Sequence, residues 1–105
     1  MLKKNVFIVT TILLLSLAGN AQAAGNIQRG ANLSYDCIDC HGTDGKGNFE
    51  TPPIVGLDEA YILQQLKGFC SGKKKSLDGM MHTYTEDRTE QEMQDLAAYW
   101  ASKKN

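Results

Sequence analysis

Two cysteines and a histidine stand within five positions of this chain, Cys37-Ile38-Asp39-Cys40-His41. Thiols and imidazoles bind soft metals, exchange disulfides and attack carbon, so chemistry is to be sought here first. A thiol–disulfide redox pair needs its first cysteine where a strand hands over to a helix in a βαβ setting. No alternating β-branched run precedes Cys37. A structural zinc ion needs four ligands, usually as two separated pairs. The other candidates, Cys70 and His82, are unpaired and distant in the chain. Plain disulfides explain less, because two intervening residues make a tight, strained loop and three cysteines cannot complete two bridges.

The spacing Cys-X-X-Cys-His is also the attachment signature of a covalent haem. One helical turn sets both thiols against two vinyl groups of the macrocycle, and the adjacent imidazole reaches the iron. His41 then supplies one axial ligand, and a second is needed. A methionine thioether opposite histidine raises the reduction potential, because a soft neutral sulfur favours ferrous iron. Met93 shares a helical face with Leu96, Ala97 and Trp100, which marks it as core. Met80 and Met81 follow Gly79 in a polar stretch without periodicity, and either can serve. His82, next to them, would give a bis-histidine haem of lower potential, although a lone loop histidine is more often simply solvated.

Helices must position these groups. Ile27 to about Tyr35 predicts a first helix running into the cysteine motif. Residues 42–53 are loop, broken by Gly42, Gly45, Gly47 and the pair Pro52-Pro53. Asp58 caps a second helix, with Ile62, Leu66 and Phe69 at helical spacing, which ends near Gly72. Residues 71–85 are a polar loop. Thr89-Glu90-Gln91-Glu92 is a capping box that opens a last helix ending at Lys103-Lys104. No strand pattern appears, so the fold class is all-α.

The first residues carry an address. Lys3 and Lys4 precede a charge-free, mostly apolar run from Val6 to Ala18, and Ala21-Gln22-Ala23 offers small residues for cleavage after Ala23. The run is shorter than the roughly 20 residues a membrane span needs. Residues 1–23 are thus expected to be a cleaved signal peptide, and 24–105 one domain without a membrane span. Nine Lys/Arg would remain against twelve Asp/Glu, a formal charge of about −3, which argues against a nucleic-acid partner. A domain this small buries only about 60% of its unfolded surface and ordinarily recruits a staple or a large apolar body into its core. Export suits covalent haem, which is attached outside the cytoplasm.

With these elements in place, the chain resembles a class I cytochrome c from the motif to the last helix. "TPPIVGLDEAYILQQLKGFCSGKKK" and "MMHTYTEDRTEQEMQDLAAYW" are similar to segments of cytochrome c4 and c553-type domains and of the cytochrome subunit of flavocytochrome c sulfide dehydrogenase. The resemblance implies about three main helices and loops wrapped around one haem c, with thioethers at Cys37 and Cys40 and His41 as proximal ligand. It implies that the Pro52 carbonyl accepts a hydrogen bond from His41 and fixes the imidazole. It also implies Met81 as distal ligand, eight residues before Thr89, with Met80 the alternative. Gly30 would let the first helix approach Tyr99 or Trp100. Cys70 is expected to be buried and inert, a dimer disulfide being the alternative.

What this implies about function is single-electron transfer in the periplasm, with redox proteins as partners. A permanent complex with a flavoprotein is the rival class, and a haem enzyme or gas sensor with an open sixth site is a third. Lys73-Lys74-Lys75 would steer an acidic partner or form an ordinary wet surface.

Overall fold

A computed structural model describes residues 25–104, and the expected signal peptide lies outside them. Five helices follow in order: α1 (Ile27–Leu33), α2 (Tyr35–His41), α3 (Glu59–Ser71), α4 (Met80–Thr85) and α5 (Glu90–Ser102). Among the described residues there is no strand.

The first helix differs from its expectation by a break. Ser34 Oγ donates to Ala31 O at 2.7 Å and its N–H reaches back to the same carbonyl at 3.3 Å. A serine hydroxyl competing for the helical carbonyls in this way tightens the turn and ends α1. The chain restarts as α2, which carries the cysteine motif on a seven-residue helix of its own.

Residues 71–85 also differ from the expected loop. Gly72 closes α3 in the left-handed conformation at φ 80°. Further on, the Met80 N–H donates to Asp78 Oδ1 at 3.1 Å and the Met81 N–H to Ser76 Oγ at 3.2 Å. These side chains satisfy amides at the start of α4 that no helical carbonyl can reach. Six residues are too few to display an apolar period, so this helix left no pattern to find.

The expected caps are present. Asp58 Oδ2 accepts from the Tyr61 N–H at 3.2 Å. Thr89 Oγ1 accepts from the Glu92 N–H at 3.1 Å, while Glu92 Oε1 accepts from the Thr89 N–H at 3.0 Å.

The core joins Ile62 and Leu66 of α3 to Met93, Leu96, Ala97 and Trp100 of α5. On the other side of α5, α1 crosses at Gly30. A Cβ placed on Gly30 would lie 2.0 Å from Asp95 O and 2.6 Å from Tyr99 Cβ. The expected close approach is therefore made to Tyr99 and the backbone of Asp95.

Asp95 locks this crossing. It is 2% exposed, and its carboxylate accepts from the Asn26 N–H at 2.7 Å, Gln91 Nε2 at 3.0 Å and Arg29 Nε at 3.1 Å. Burial alone would raise its pKa, but the hydrogen bonds from Asn26, Gln91 and Arg29 outweigh it and hold the group below the ordinary carboxylate value. A depressed folded-state pKa stabilises the fold above the unfolded value of about 3.9 and loses that contribution as pH falls through the folded value. Asp95→Asn should cost about 1.5–3 kcal/mol near neutrality, as a lost charge-assisted network. In urea melts the gap between variant and parent should close on acidification below about pH 4. A gap independent of pH would mean that the carboxylate charge is not what locks the helices.

Candidate functional site: an apolar cleft beside the cysteine motif

The loop after α2 folds back to deliver Pro52. The Gly47 N–H donates to His41 O at 2.8 Å, and the Asn48 N–H to Thr51 O at 2.8 Å. Gly47 has φ 65°, and a Cβ there would lie 2.1 Å from Thr51 O and 2.8 Å from Pro52 O. Only glycine permits both the turn and this approach.

As a result the Pro52 carbonyl meets His41 Nδ1 at 2.9 Å. With Nδ1 as the donor, Nε2 carries the lone pair, the tautomer a metal-ligating imidazole needs. His41 is buried, whereas Cys40 is exposed and Cys37 half-buried against the core. All three line a cleft of about 780 Å³ whose walls include Ile54, Leu57, Ile62 and Leu66.

Burial pushes the Cys37 thiol above its ordinary pKa. The Trp100 indole N–H, and then the Arg88 charge, partly oppose that rise. Arg88 is fixed by Asp36 of α2 at 2.6 Å and Glu92 of α5 at 3.3 Å, and it too lines the cleft.

Both candidate methionines reach the cleft, in different states. Met81 is half-buried and packed on the core, while Met80 is 41% exposed. His82 does not line the cleft: Nδ1 lies 2.8 Å from Phe69 O and Nε2 3.1 Å from Glu86 Oε2. With both nitrogens occupied, His82 is unsuited to be a ligand.

Cys70 is half-buried on the core, its thiol 3.9 Å from Glu86 O. Lys73, Lys74 and Lys75 are exposed, with Lys74 and Lys75 on the cleft rim and Lys74 Nζ 5.2 Å from the centre of the Phe69 ring. Among the described residues no three His, Cys, Asp or Glu side chains gather to hold a bare metal ion.

Sequence patterning missed two wall residues. Trp100 was legible only as a residue on the inner face of its helix, yet its indole forms part of the cleft beside Cys37. Arg88 left no signal, because its Asp36 partner is 52 positions away.

The cleft is wide, apolar and bordered by two thiols, one prepared imidazole and one half-buried thioether. This donor set fits a flat macrocycle that is fixed to two cysteines and ligated through its metal. The fold and cleft together define a small haem-binding domain of the c type. The cytochrome c family model matches residues 27–104, and the chain belongs to the cytochrome c family, with haem c as its cofactor.

Cytochrome c4 of Pseudomonas aeruginosa is 36% identical over 95% of this chain and 49% of its own length. The cytochrome subunit of sulfide dehydrogenase from Chlorobaculum tepidum is 37% identical over 73% of this chain and 70% of its own. The structure of Acidithiobacillus ferrooxidans cytochrome c4 superposes with a TM-score of 0.66 at 27% identity, over 77% of this chain and 52% of that one. The chain thus spans about half the length of the cytochrome c4 relatives it matches. No helix among the described residues is long and apolar enough to cross a membrane.

Proposed function

We propose that this chain is a periplasmic carrier of single electrons, exported by residues 1–23 and folded from 24 onward, with Cys37 and Cys40 as thioether residues, His41 as proximal ligand and Met81 as distal ligand. The observation that carries the proposal is the His41 Nδ1 to Pro52 O hydrogen bond on the wall of the cleft shared with both cysteines and Met81. It leaves one nitrogen, in one orientation, to donate to a metal. Bound haem supplies a one-electron ferrous/ferric couple.

This chain's residues then do three things. His41 and Met81 would ligate the haem iron and would leave it no open position for a substrate, which would separate a carrier from an enzyme or gas sensor. Ile54, Leu57, Ile62 and Leu66 exclude water, which limits reorganisation on electron exchange and helps set the potential. Lys74 and Lys75 on the rim bias brief encounters with redox proteins carrying acidic patches.

The test is the absorption spectrum of the mature protein, oxidised and reduced, with carbon monoxide added to the reduced form. A weak far-red sulfur-to-iron band, unaffected reduced spectra and haem retained in acidic acetone are expected. Ready binding of carbon monoxide would overturn the carrier assignment in favour of an open site.

Likeness to the sulfide dehydrogenase subunit supports a second reading, a haem subunit that takes electrons from a flavoprotein. Co-purification with a flavin-containing chain from the native periplasm would favour it. Isolation as a single chain favours the free carrier.

A further inference from the structure

Large hydrophobic side chains gather, exposed, at the mouth of the cleft: Phe49, Tyr61, Leu77, Met80 and Tyr84. Phe49 is 97% exposed and Leu77 wholly so, although both line the cleft. Ile62 and Leu66, deeper in the wall, are buried. Phe49 and Leu77 therefore stand on the outermost rim, where a group held in the depth leaves their outer faces in water. Contiguous apolar surface of this kind on a small protein marks an interaction site.

The two side chains belong to different lips. Phe49 sits in a tight turn in which the Glu50 and Thr51 N–H groups donate to Asn48 Oδ1 at 2.8 and 2.9 Å, just before the Pro52 that meets His41. Leu77 sits in the turn closed by the Gly79 N–H to Ser76 O at 3.2 Å, which leads into α4 and Met81. Each lip carries exposed charge, and the signs are opposite: Glu50 beside Phe49, Lys74 and Lys75 near Leu77. Asp78 on the second lip is taken up by Ser76 Oγ and the Met80 N–H, both at 3.1 Å, so the lysines set the sign there. Among the described residues neither Glu50 nor Lys75 has an ion-pair partner.

A uniformly acidic surface would gain from Lys74 and Lys75 and lose against Glu50. A second copy, turned about a two-fold axis through the mouth, presents each lip to the opposite lip of its neighbour. Phe49 of either copy then packs on Leu77 of the other, and Glu50 meets Lys74 and Lys75, twice over.

We propose that the cleft mouth is a self-association face, on which two copies of this chain form a two-fold dimer through Phe49, Leu77 and the pairing of Glu50 with the lysines. The patch is a few side chains rather than the roughly 20–30 residues a side of a standard interface, so the dimer is reversible and exchanges with redox partners at the same rim. The inference takes from the proposed function only that the His41 and Met81 walls face each other. Loss of the far-red band would strike that function without altering how the protein sediments.

The experiment is sedimentation velocity of the haem-loaded mature chain over a range of concentration and salt. A concentration-dependent shift from monomer to dimer is expected, weakened by salt because the pairs are exposed. Leu77→Ser should raise the dissociation constant about tenfold or more, and leave the thermal midpoint near that of the parent because the side chain is wholly exposed. Glu50→Lys alone, and Lys74→Glu with Lys75→Glu alone, should each stay monomeric, since like charges then meet across the axis. An equal mixture of these two variants should dimerise, because both contacts become attractive again. A parent chain that stays monomeric at every concentration in low salt, a dimer that survives both charge reversals, or a mixture that fails to dimerise would overturn the proposal and leave the rim to redox partners alone.

Discussion

Met81→Ala should abolish the far-red sulfur-to-iron band of the oxidised protein completely and let the reduced protein bind carbon monoxide, while Met80→Ala leaves both properties as in the parent. The contrast between adjacent methionines comes from the way α4 is held. Its first turn is tied down by the Met81 N–H to Ser76 Oγ, and the Met81 carbonyl accepts from Thr85 Oγ1 at 2.6 Å. Thr85 is itself 3% exposed, so this turn is fixed from inside the protein. Met81 consequently faces the core and cleft with its backbone immobilised, while Met80 is 41% exposed. Truncating a buried methionine costs about 2–5 kcal/mol, and the half-buried Met81 should fall near the lower end in packing alone. The spectrum is the decisive reading, because packing loss does not select which methionine carries the band. A band lost in Met80→Ala and kept in Met81→Ala would overturn the ligand assignment.

Gly30→Val should unfold the domain or bring it close to unfolding at ordinary temperature. Any Cβ at Gly30 would overlap the Asp95 carbonyl and Tyr99 Cβ, so α1 must withdraw from α5. Withdrawal breaks the Asn26 N–H and Arg29 bonds to the Asp95 carboxylate and leaves a buried charge poorly compensated. Overpacking costs about 1–3 kcal/mol, and each of the two hydrogen bonds lost by the buried carboxylate, from the Asn26 N–H and the exposed Arg29, about 1.5–3 kcal/mol. Replacing glycine inside a helix recovers at most about 1 kcal/mol of propensity. The loss therefore wins by roughly 3 kcal/mol or more, out of a total that is only about 5–15 kcal/mol for a domain. At about 4–8 °C per kcal/mol for a domain of this size, the thermal midpoint should fall by roughly 10–25 °C. Thermal melts followed by circular dichroism check this. A midpoint within a few degrees of the parent would mean that the crossing does not hold the fold closed.

Much of the site is local in the chain and was therefore legible without coordinates. The motif from Cys37 to His41 lies within one short helix, and the caps at Asp58 and Thr89 act over three residues. Chemistry with a range of one helical turn is written in spacing. The inner face of α5 was legible for the same reason, since Met93, Leu96, Ala97 and Trp100 follow the helical period. The break at Ser34 and the short helix α4 were not, because both depend on single hydroxyl and carboxylate hydrogen bonds that no periodicity records.

Other features depend on long-range encounters. The residues alone left Met80 and Met81 both open, the family resemblance pointed to Met81, and packing on the core is where the structure sets the two apart. His82 remained a competing ligand until Phe69 O and Glu86 were found at its two nitrogens. Arg88 meets Asp36 across 52 positions, and Trp100 lines the cleft with one edge of its ring against the distant Gly45. By itself the sequence determined the donor types, their spacing and the helices that carry them, since these follow from neighbours within a turn. The tertiary structure decided which donors face the cleft and which are turned away, because orientation depends on what packs behind each side chain.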